Sequence, residues 1–379
     1  MNTIAGQPSW RIASADVEAY VTQLGGHLAP VIFDRRHRKI APFEVAPWAE
    51  EKLDRSIPPL LQVLRGDFFC MPFGGNETPY RGEKHPPHGE TANCRWTLQK
   101  LAKTKEGSTL HLRLRTRIRS GRVDKFISLR EGHPAIYQRH VISEMSGPMN
   151  LGHHAILKYP PAPGSGLIST SPFRLGQVYV RPVELPEKKG YSSLKPGAKF
   201  KSLEKVATVF GTQADLSRYP ARRGYEDIVT LVSDPKLPFA WTAVSFAAEN
   251  YVWFALKNPR VLRQTLMWIS NGGRHYPPWN GRHVDAMGLE ELTSYFHDGL
   301  AESVRKNPLS SAGYPTAVQL NAKSPFTVNY IMAALPTPKG FDRVKLITAL
   351  PKGRGVKLTS TSGKSISAKL DLAFLDATE

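Results

Sequence analysis

The sequence has 379 residues, with 51 Lys and Arg against 32 Asp and Glu, a formal charge of +19. With 41% hydrophobic residues, among them 7 Trp, 13 Tyr and 16 Phe, a chain of this length can bury about three quarters of its unfolded surface, which excludes global disorder. Two cysteines, Cys70 and Cys94, exclude a disulfide scaffold, and no stretch nears the roughly 18 apolar residues that span a bilayer. No basic segment followed by an apolar run opens the chain, so a reduced, cytoplasmic setting away from membranes is expected.

Residues 1–14 read as an N-terminal tail and residues 15–379 as one β-sandwich domain. Runs at 17–24 and 27–33 flank Gly25-Gly26, a hairpin signal. Segments 94–103 and 108–118 are joined by a polar turn, and the second alternates strictly. Leu112, Leu114, Thr116 and Ile118 oppose Arg113, Arg115, Arg117 and Arg119, so period two places the four arginines on one strand face. That face could follow a polyanion or simply meet solvent. Without interleaved aromatics or a recognisable nucleic-acid motif, a nucleic-acid partner is not expected. The lysine-rich segment 185–205 reads as an exposed loop. Further strands are expected at 239–246, 251–257, 261–269, 326–333 and 344–349. Helical periodicity is confined to 49–64 and 289–306. The Gly and Pro residues, 30 and 31 in number, are spread along the whole chain, as many turns between short strands require. The expected fold is all-β, a large antiparallel β-supersandwich.

No phosphate-binding loop, dinucleotide fingerprint, nucleophile elbow or zinc-protease motif is present. Cys70, His85, His88 and Cys94 match no standard zinc spacing, so neither metal nor cofactor is expected. What remains are three polar islands. Residues 63–90 carry Arg65, Asp67, Asn76, His85 and His88. Residues 149–160 carry His153 and His154. Residues 268–296 carry Arg274, His275, Trp279, Arg282, His283, Asp285, Glu290 and Glu291. Imidazole, guanidinium and carboxylate drawn from distant loops suit acid–base work on a carbohydrate, whose hydroxyls take charged hydrogen-bonders and whose C–H faces take aromatic rings.

Leu64-Arg65-Gly66-Asp67 through Met71-Pro72-Phe73-Gly74, followed by His88-Gly89 and Trp96, resembles the aldose 1-epimerase and hexose-6-phosphate epimerase families of the galactose mutarotase-like superfamily. Gly152-His153-His154-Ala155 is similar to their Gly-x-His-Pro stretch, and Met287-Gly288-Leu289-Glu290-Glu291 to their late Gly-Leu-Glu-Pro element. The order is the family's, and the motifs span about residues 60–295. The departures are Arg-Gly-Asp for Arg-Gly-Gly, Glu291 for the proline, and a displaced Arg95, which place the chain on a divergent branch.

The resemblance implies interconversion of the anomers of a free or phosphorylated sugar. Glu290 would be the ionised base, His154 the protonated acid and His88 a hydrogen-bond donor to the developing oxyanion. Arg65 would hold a hydroxyl or phosphate, and Trp279 would stack on the ring. Asp67, Asn76, Arg274 and Arg282 complete the expected substrate contacts. Glu291 competes for the base role. His153 and His154 point to opposite faces of a strand, so only one is expected in the pocket. A catalytically silent sugar-binding protein and a polyanion-binding module are the alternatives, and a monomer or homodimer is expected.

Overall fold

The computed structural model describes residues 1–378. Two antiparallel sheets face each other, as apolar residues alternating with polar ones over many short strands dictate. One sheet has nine strands, in the order Arg218–Tyr219, Gly166–Thr170, Ala240–Phe246, Tyr251–Lys257, Phe326–Pro336, Ala135–Ser143, Gly121–Arg130, Gly107–Thr116 and Thr97–Lys103. The other runs Lys199–Phe200, Phe173–Val178, Tyr225–Ser233, Gln264–Asn271, Ala286–Thr293, Leu151–His153 and Phe69–Cys70, with Ala155–Lys158 also on Ala286–Thr293.

Leu112, Ile127, Leu151, Leu157, Met267, Leu289 and Tyr330 fill the space between the sheets. The outer face of the nine-stranded sheet is covered by a C-terminal three-stranded sheet, through Tyr137, Trp241, Phe254, Val356 and Phe374. The concave face of the eight-stranded sheet carries a separate cluster, with Trp48, Leu60, Phe68, Phe73, Trp268 and Trp279. The large antiparallel β-supersandwich expected from the sequence is therefore present.

Four expectations need correction. Residues 1–14 are not a tail: Asn2–Ile4 and Gln7–Ala13 pair with each other and join Val17–Thr22 and Leu28–Phe33 in a four-stranded sheet. Trp10 and Ile12 anchor that sheet in the core. Only Pro59–Gln62 of the segment 49–64 is helical, because Pro58 and Pro59 permit a first turn but no longer helix upstream. Within 289–306, the Leu-Glu-Glu-Leu pattern belongs to the Ala286–Thr293 strand, and only Leu300–Val304 is helical. Finally, the arginine strand ends at Thr116, so Arg113 and Arg115 alone share its outer face while Arg117 and Arg119 lie in a turn. Arg119 is spoken for, donating to Glu83 Oε1 and Oε2 at 2.9 and 2.8 Å and to the Pro148 carbonyl at 2.6 Å.

Candidate functional site

Strand register builds the centre of the site. Gly152 pairs with Leu292 and Ala155 with Leu289; continuing that register inward sets His154 across from Glu290 and His153 across from Glu291. Alternation then separates the neighbours. His153 and Glu291 turn into the space between the sheets, and His154 and Glu290 turn to the concave face. His153 Nδ1 bonds Asp67 Oδ2 at 2.9 Å. Glu291 accepts from Thr242 Oγ1 at 2.6 Å and Thr265 Oγ1 at 2.7 Å and forms an ion pair with Lys257.

On the concave face His154 Nε2 stands 3.2 Å from Glu290 Oε1. Neither Glu290 Oε1 nor His154 Nδ1 has an aligned hydrogen-bond partner. The His154 ring stacks on Phe68 at 4.5 Å, and its backbone N–H donates to the Phe68 carbonyl at 2.9 Å, which fixes its depth. Gly288 makes room for the carboxylate: a Cβ there would lie 2.3 Å from Glu290 Oε1.

His88 arrives from a different part of the chain. It occupies the left-handed region (φ 59°) ahead of the short helix Gly89–Asn93. Gly89 follows it at φ 73°, where a Cβ would meet the Met71 carbonyl oxygen at 1.9 Å, so only glycine permits this approach. The His88 ring is 5.0 Å from that of His154. The Gly74 N–H points at its Nδ1 from 3.5 Å, which leaves Nε2 to carry the proton.

These residues line a pocket of about 480 Å³ together with Arg274, His297, Trp268, Trp279 and Phe68, and with Leu60, Leu61 and Leu64 of the segment that covers the concave face. Arg274 Nε donates to Glu184 Oε1 at 2.6 Å, with Glu226 Oε2 at 4.0 Å. Its guanidinium carbon lies 4.6 Å from the Trp279 ring centre and 5.5 Å from that of Trp268. Glu226 in turn accepts from Trp268 Nε1 and Ser270 Oγ, both at 2.9 Å. His297 also lines a neighbouring groove of about 910 Å³ that holds Glu77, Glu184, Asp298 and Glu302 against Arg181 and Lys188.

Burial sets the charges. It pushes the Glu290 carboxyl well above the usual carboxylate range, helped by the negative charge of Asp67. It pushes His154 well below the usual imidazole range, helped by His88. His88 and His297 are both pushed down to about 3 by burial, with Arg274 adding to it. Burial also opposes the charge of Arg274, but Glu226, Glu184 and Tyr276 outweigh it and raise its pKa. Glu226 is pushed up to about 7 by burial, against the pull of Arg274. The expected resting charges, an ionised Glu290 beside a protonated His154, are thus corrected. In the buried pair the proton favours the carboxyl, because a neutral pair avoids desolvating two ions.

The three polar islands converge here, but not all of their residues do. His88, His154, Glu290, Arg274 and Trp279 line the pocket. Arg65 is fully buried elsewhere, donating to the carbonyls of Val63, Ile4 and Ala5 at 3.1, 3.0 and 2.9 Å, where it ties the N-terminal hairpin down. Asp67 faces the inter-sheet space and accepts from Gln138 Nε2 at 2.6 Å besides its bond to His153. Asn76 organises a loop through the carbonyls of Pro72, Gly74 and Pro86 and the N–H of Leu300. Arg282 pairs at the surface with Glu51, at 2.5 and 2.8 Å.

His297, Trp268 and Phe68 also line the pocket, although no sequence motif marks them. His297 lies one residue beyond the third island. Its signal was its place just after a strand that delivers a carboxylate, in a turn where Phe296 has φ 46°.

No protein-family profile matches the chain, and no curated protein matches it in sequence. Solved structures do match in shape. A protein of Escherichia coli K12 that carries the name of an aldose 1-epimerase superposes with TM-score 0.58 at 12% identity, covering 87% of this chain and 100% of that one. A galactose mutarotase related enzyme from Lactobacillus acidophilus gives TM-score 0.55 at 12% identity, over 89% and 100% of the two chains. A galactose mutarotase-like protein from Clostridium acetobutylicum gives 0.56 at 9%, over 89% and 98%. The fold is the galactose mutarotase-like one, in a sequence far removed from those of these structures.

Proposed function

We propose that this galactose mutarotase-like chain is a sugar 1-epimerase, interconverting the anomers of a free aldose by acid–base catalysis at His154 and Glu290. The observation that carries the reading is the 3.2 Å approach of His154 Nε2 to Glu290 Oε1 in a pocket walled by Trp268, Trp279 and Phe68. The two oxygens of a cyclic hemiacetal are separated by a single carbon, so two proton-carrying atoms at this spacing can face both.

The pair holds one proton, whether written as carboxylic acid with neutral imidazole or as carboxylate with imidazolium. The polar oxygens of a bound sugar favour the ionic form, against burial and against the nearby charge of Arg274, which disfavours the imidazolium. In that form Glu290 takes the proton of the anomeric hydroxyl while His154 Nε2 protonates the ring oxygen. The C1–O5 bond breaks and the C1 carbonyl forms. Rotation about C1–C2 and reversal of both transfers gives the other anomer, with no net change in protons or electrons. The Nε2–H of His88 is free to donate to a sugar oxygen, and Arg274 and His297 offer contacts for further hydroxyls.

The substrate in this proposal is not phosphorylated. Among the described residues Arg274 is the one formally cationic side chain lining the pocket and is already bonded to Glu184, and the adjoining groove carries more carboxylates than cations. A phosphate dianion would meet like charge there.

The test is polarimetry of freshly dissolved anomers of a panel of aldoses. Glu290→Gln and His154→Asn should each slow the enzyme by about 10²–10⁴-fold with little change in sugar affinity. A second reading, a silent sugar-binding protein, is favoured by the preference of the buried pair for its neutral form and by the leucines over the pocket. Quenching of Trp fluorescence by sugars without acceleration of any aldose would establish that reading instead.

A further inference from the structure

At the edge of the nine-stranded sheet a cleft of about 890 Å³ opens beside the Gly107–Thr116 strand. Arg95, Arg113, Arg115 and Arg117 line it, with Glu90 as the single carboxylate among the described residues. Glu90 is buried, and its oxygens accept the backbone N–H groups of Arg117 (2.9 and 3.0 Å) and Ile118 (3.1 Å). It therefore shapes the turn rather than pairing with a guanidinium.

Arg113 shares Asp124 with His111 and Arg122, and Arg115 shares Glu144 with Arg122. Arg95 meets only the neutral Gln23 Oε1, at 2.9 Å, and the Arg117 side chain has no ion-pair partner among the described residues. Five arginines thus stand against three carboxylates, one of them committed to backbone. Guanidiniums gathered in one cleft repel each other, and the arrangement is relieved by a ligand that brings oxyanions.

We propose that this cleft binds an acidic polysaccharide, independently of the sugar pocket. The remaining lining, Leu24, Asn93, Cys94, Thr97 and Leu114, contains no aromatic ring. Single-stranded nucleic acid is held by stacking on such rings, so it is disfavoured. Duplex nucleic acid is met by elements that project into its grooves, whereas this surface is concave. A chain of sugars carrying carboxylates or sulfates needs neither feature. Alternate residues of a strand are about 6.4–6.8 Å apart, which lets Arg113 and Arg115 engage successive anionic groups through the planar guanidinium fork.

The experiment is isothermal titration of the full chain with polygalacturonate, heparin, neutral dextran and a single-stranded oligothymidylate, at 0.05 and 0.15 M salt. At least one acidic polysaccharide should bind more tightly than the oligonucleotide, and dextran should not bind in this cleft. The Arg95→Ser/Arg117→Ser variant retains the backbone bonds to Glu90 and leaves the sugar pocket untouched. It should bind the acidic polysaccharide at least about tenfold more weakly, with a salt dependence shallower by roughly 0.7 log unit per log unit of salt for each guanidinium removed. The Lys345→Ser/Lys357→Ser variant removes equal charge from the exposed C-terminal sheet and should bind like wild type. The proposal is overturned if neither acidic polysaccharide binds at 0.05 M salt, if both variants lose affinity equally, or if the oligonucleotide binds more tightly. None of these outcomes bears on mutarotation, so failure here is separable from failure of the epimerase reading.

Discussion

The two faces of the Ala286–Thr293 strand treat adjacent glutamates in opposite ways. On the inter-sheet face, Glu291 has two hydroxyl donors and the Lys257 ammonium, and that ammonium also donates to Thr265 Oγ1 and the Gln264 carbonyl. On the concave face, Glu290 has His154 at 3.2 Å and an oxygen without an aligned partner. Both carboxylates are almost fully buried. A buried charge with every bond filled holds sheets together; a buried carboxyl left short of partners costs stability and is available to a ligand. The same division separates His153, bonded to Asp67, from His154, whose Nδ1 is open.

The same substitution on the two faces should have opposite effects. Glu290→Gln should cost turnover about 10²–10⁴-fold, while stability at pH 7 holds or rises. The sign follows from linkage: the folded-state pKa of Glu290 is raised, so folding above the unfolded value must keep a proton on it, and Gln removes that cost. The gain should vanish below about pH 4.5, where the unfolded carboxyl is protonated too.

Glu291→Gln should do the reverse, destabilising by about 3–5 kcal/mol because Lys257 is left buried without its counter-charge. Thermal melts and polarimetry on both variants decide the matter. Equal melting temperatures would remove the distinction between the faces.

A second contrast concerns pH. Burial holds His283 at about 3, with Arg274 and Lys158 adding to it. A depressed imidazole contributes stability that is present above pH 6.5 and lost as pH falls toward 3. The slope is up to about 1.4 kcal/mol per pH unit for this group. Denaturant titrations between pH 7 and 4 should show that loss, and His283→Asn should flatten the slope by about one proton. An unchanged slope would mean that His283 is not held neutral in the folded protein.

The smallest expected effect is the most local. Gly288→Ala would place a methyl 2.3 Å from Glu290 Oε1, at the movable end of a side chain. It should reduce turnover by about tenfold through displacement of the carboxylate, with a melting temperature within a few degrees of wild type. A large loss of stability with normal specific activity would show that Gly288 serves the sheet and not the site.

The all-β architecture was legible in the residues, since period-two alternation and dense turn residues admit little else. Strands such as Tyr251–Lys257 and Val344–Ala349 appear with the bounds their apolar patterns predict. The sequence also determined that His153 and His154 part company, because successive strand residues point to opposite faces; Glu290 and Glu291 do so because their segment, which reads as helical, is a strand in the structure. Which member of each pair met the pocket was decided by the partner sheet, which claims one face for the core.

Tertiary structure alone decided the fates of Arg65, Asp67, Asn76 and Arg282. Polar residues in a motif-rich loop are equally able to face a ligand or to satisfy buried carbonyls. The choice depends on what packs beside them, here the N-terminal hairpin, Gln138 with His153, the 72–86 loop and Glu51. The proton of the His154–Glu290 pair was likewise beyond the sequence, because its position depends on how completely distant segments such as Leu60–Leu64 exclude water from the concave face.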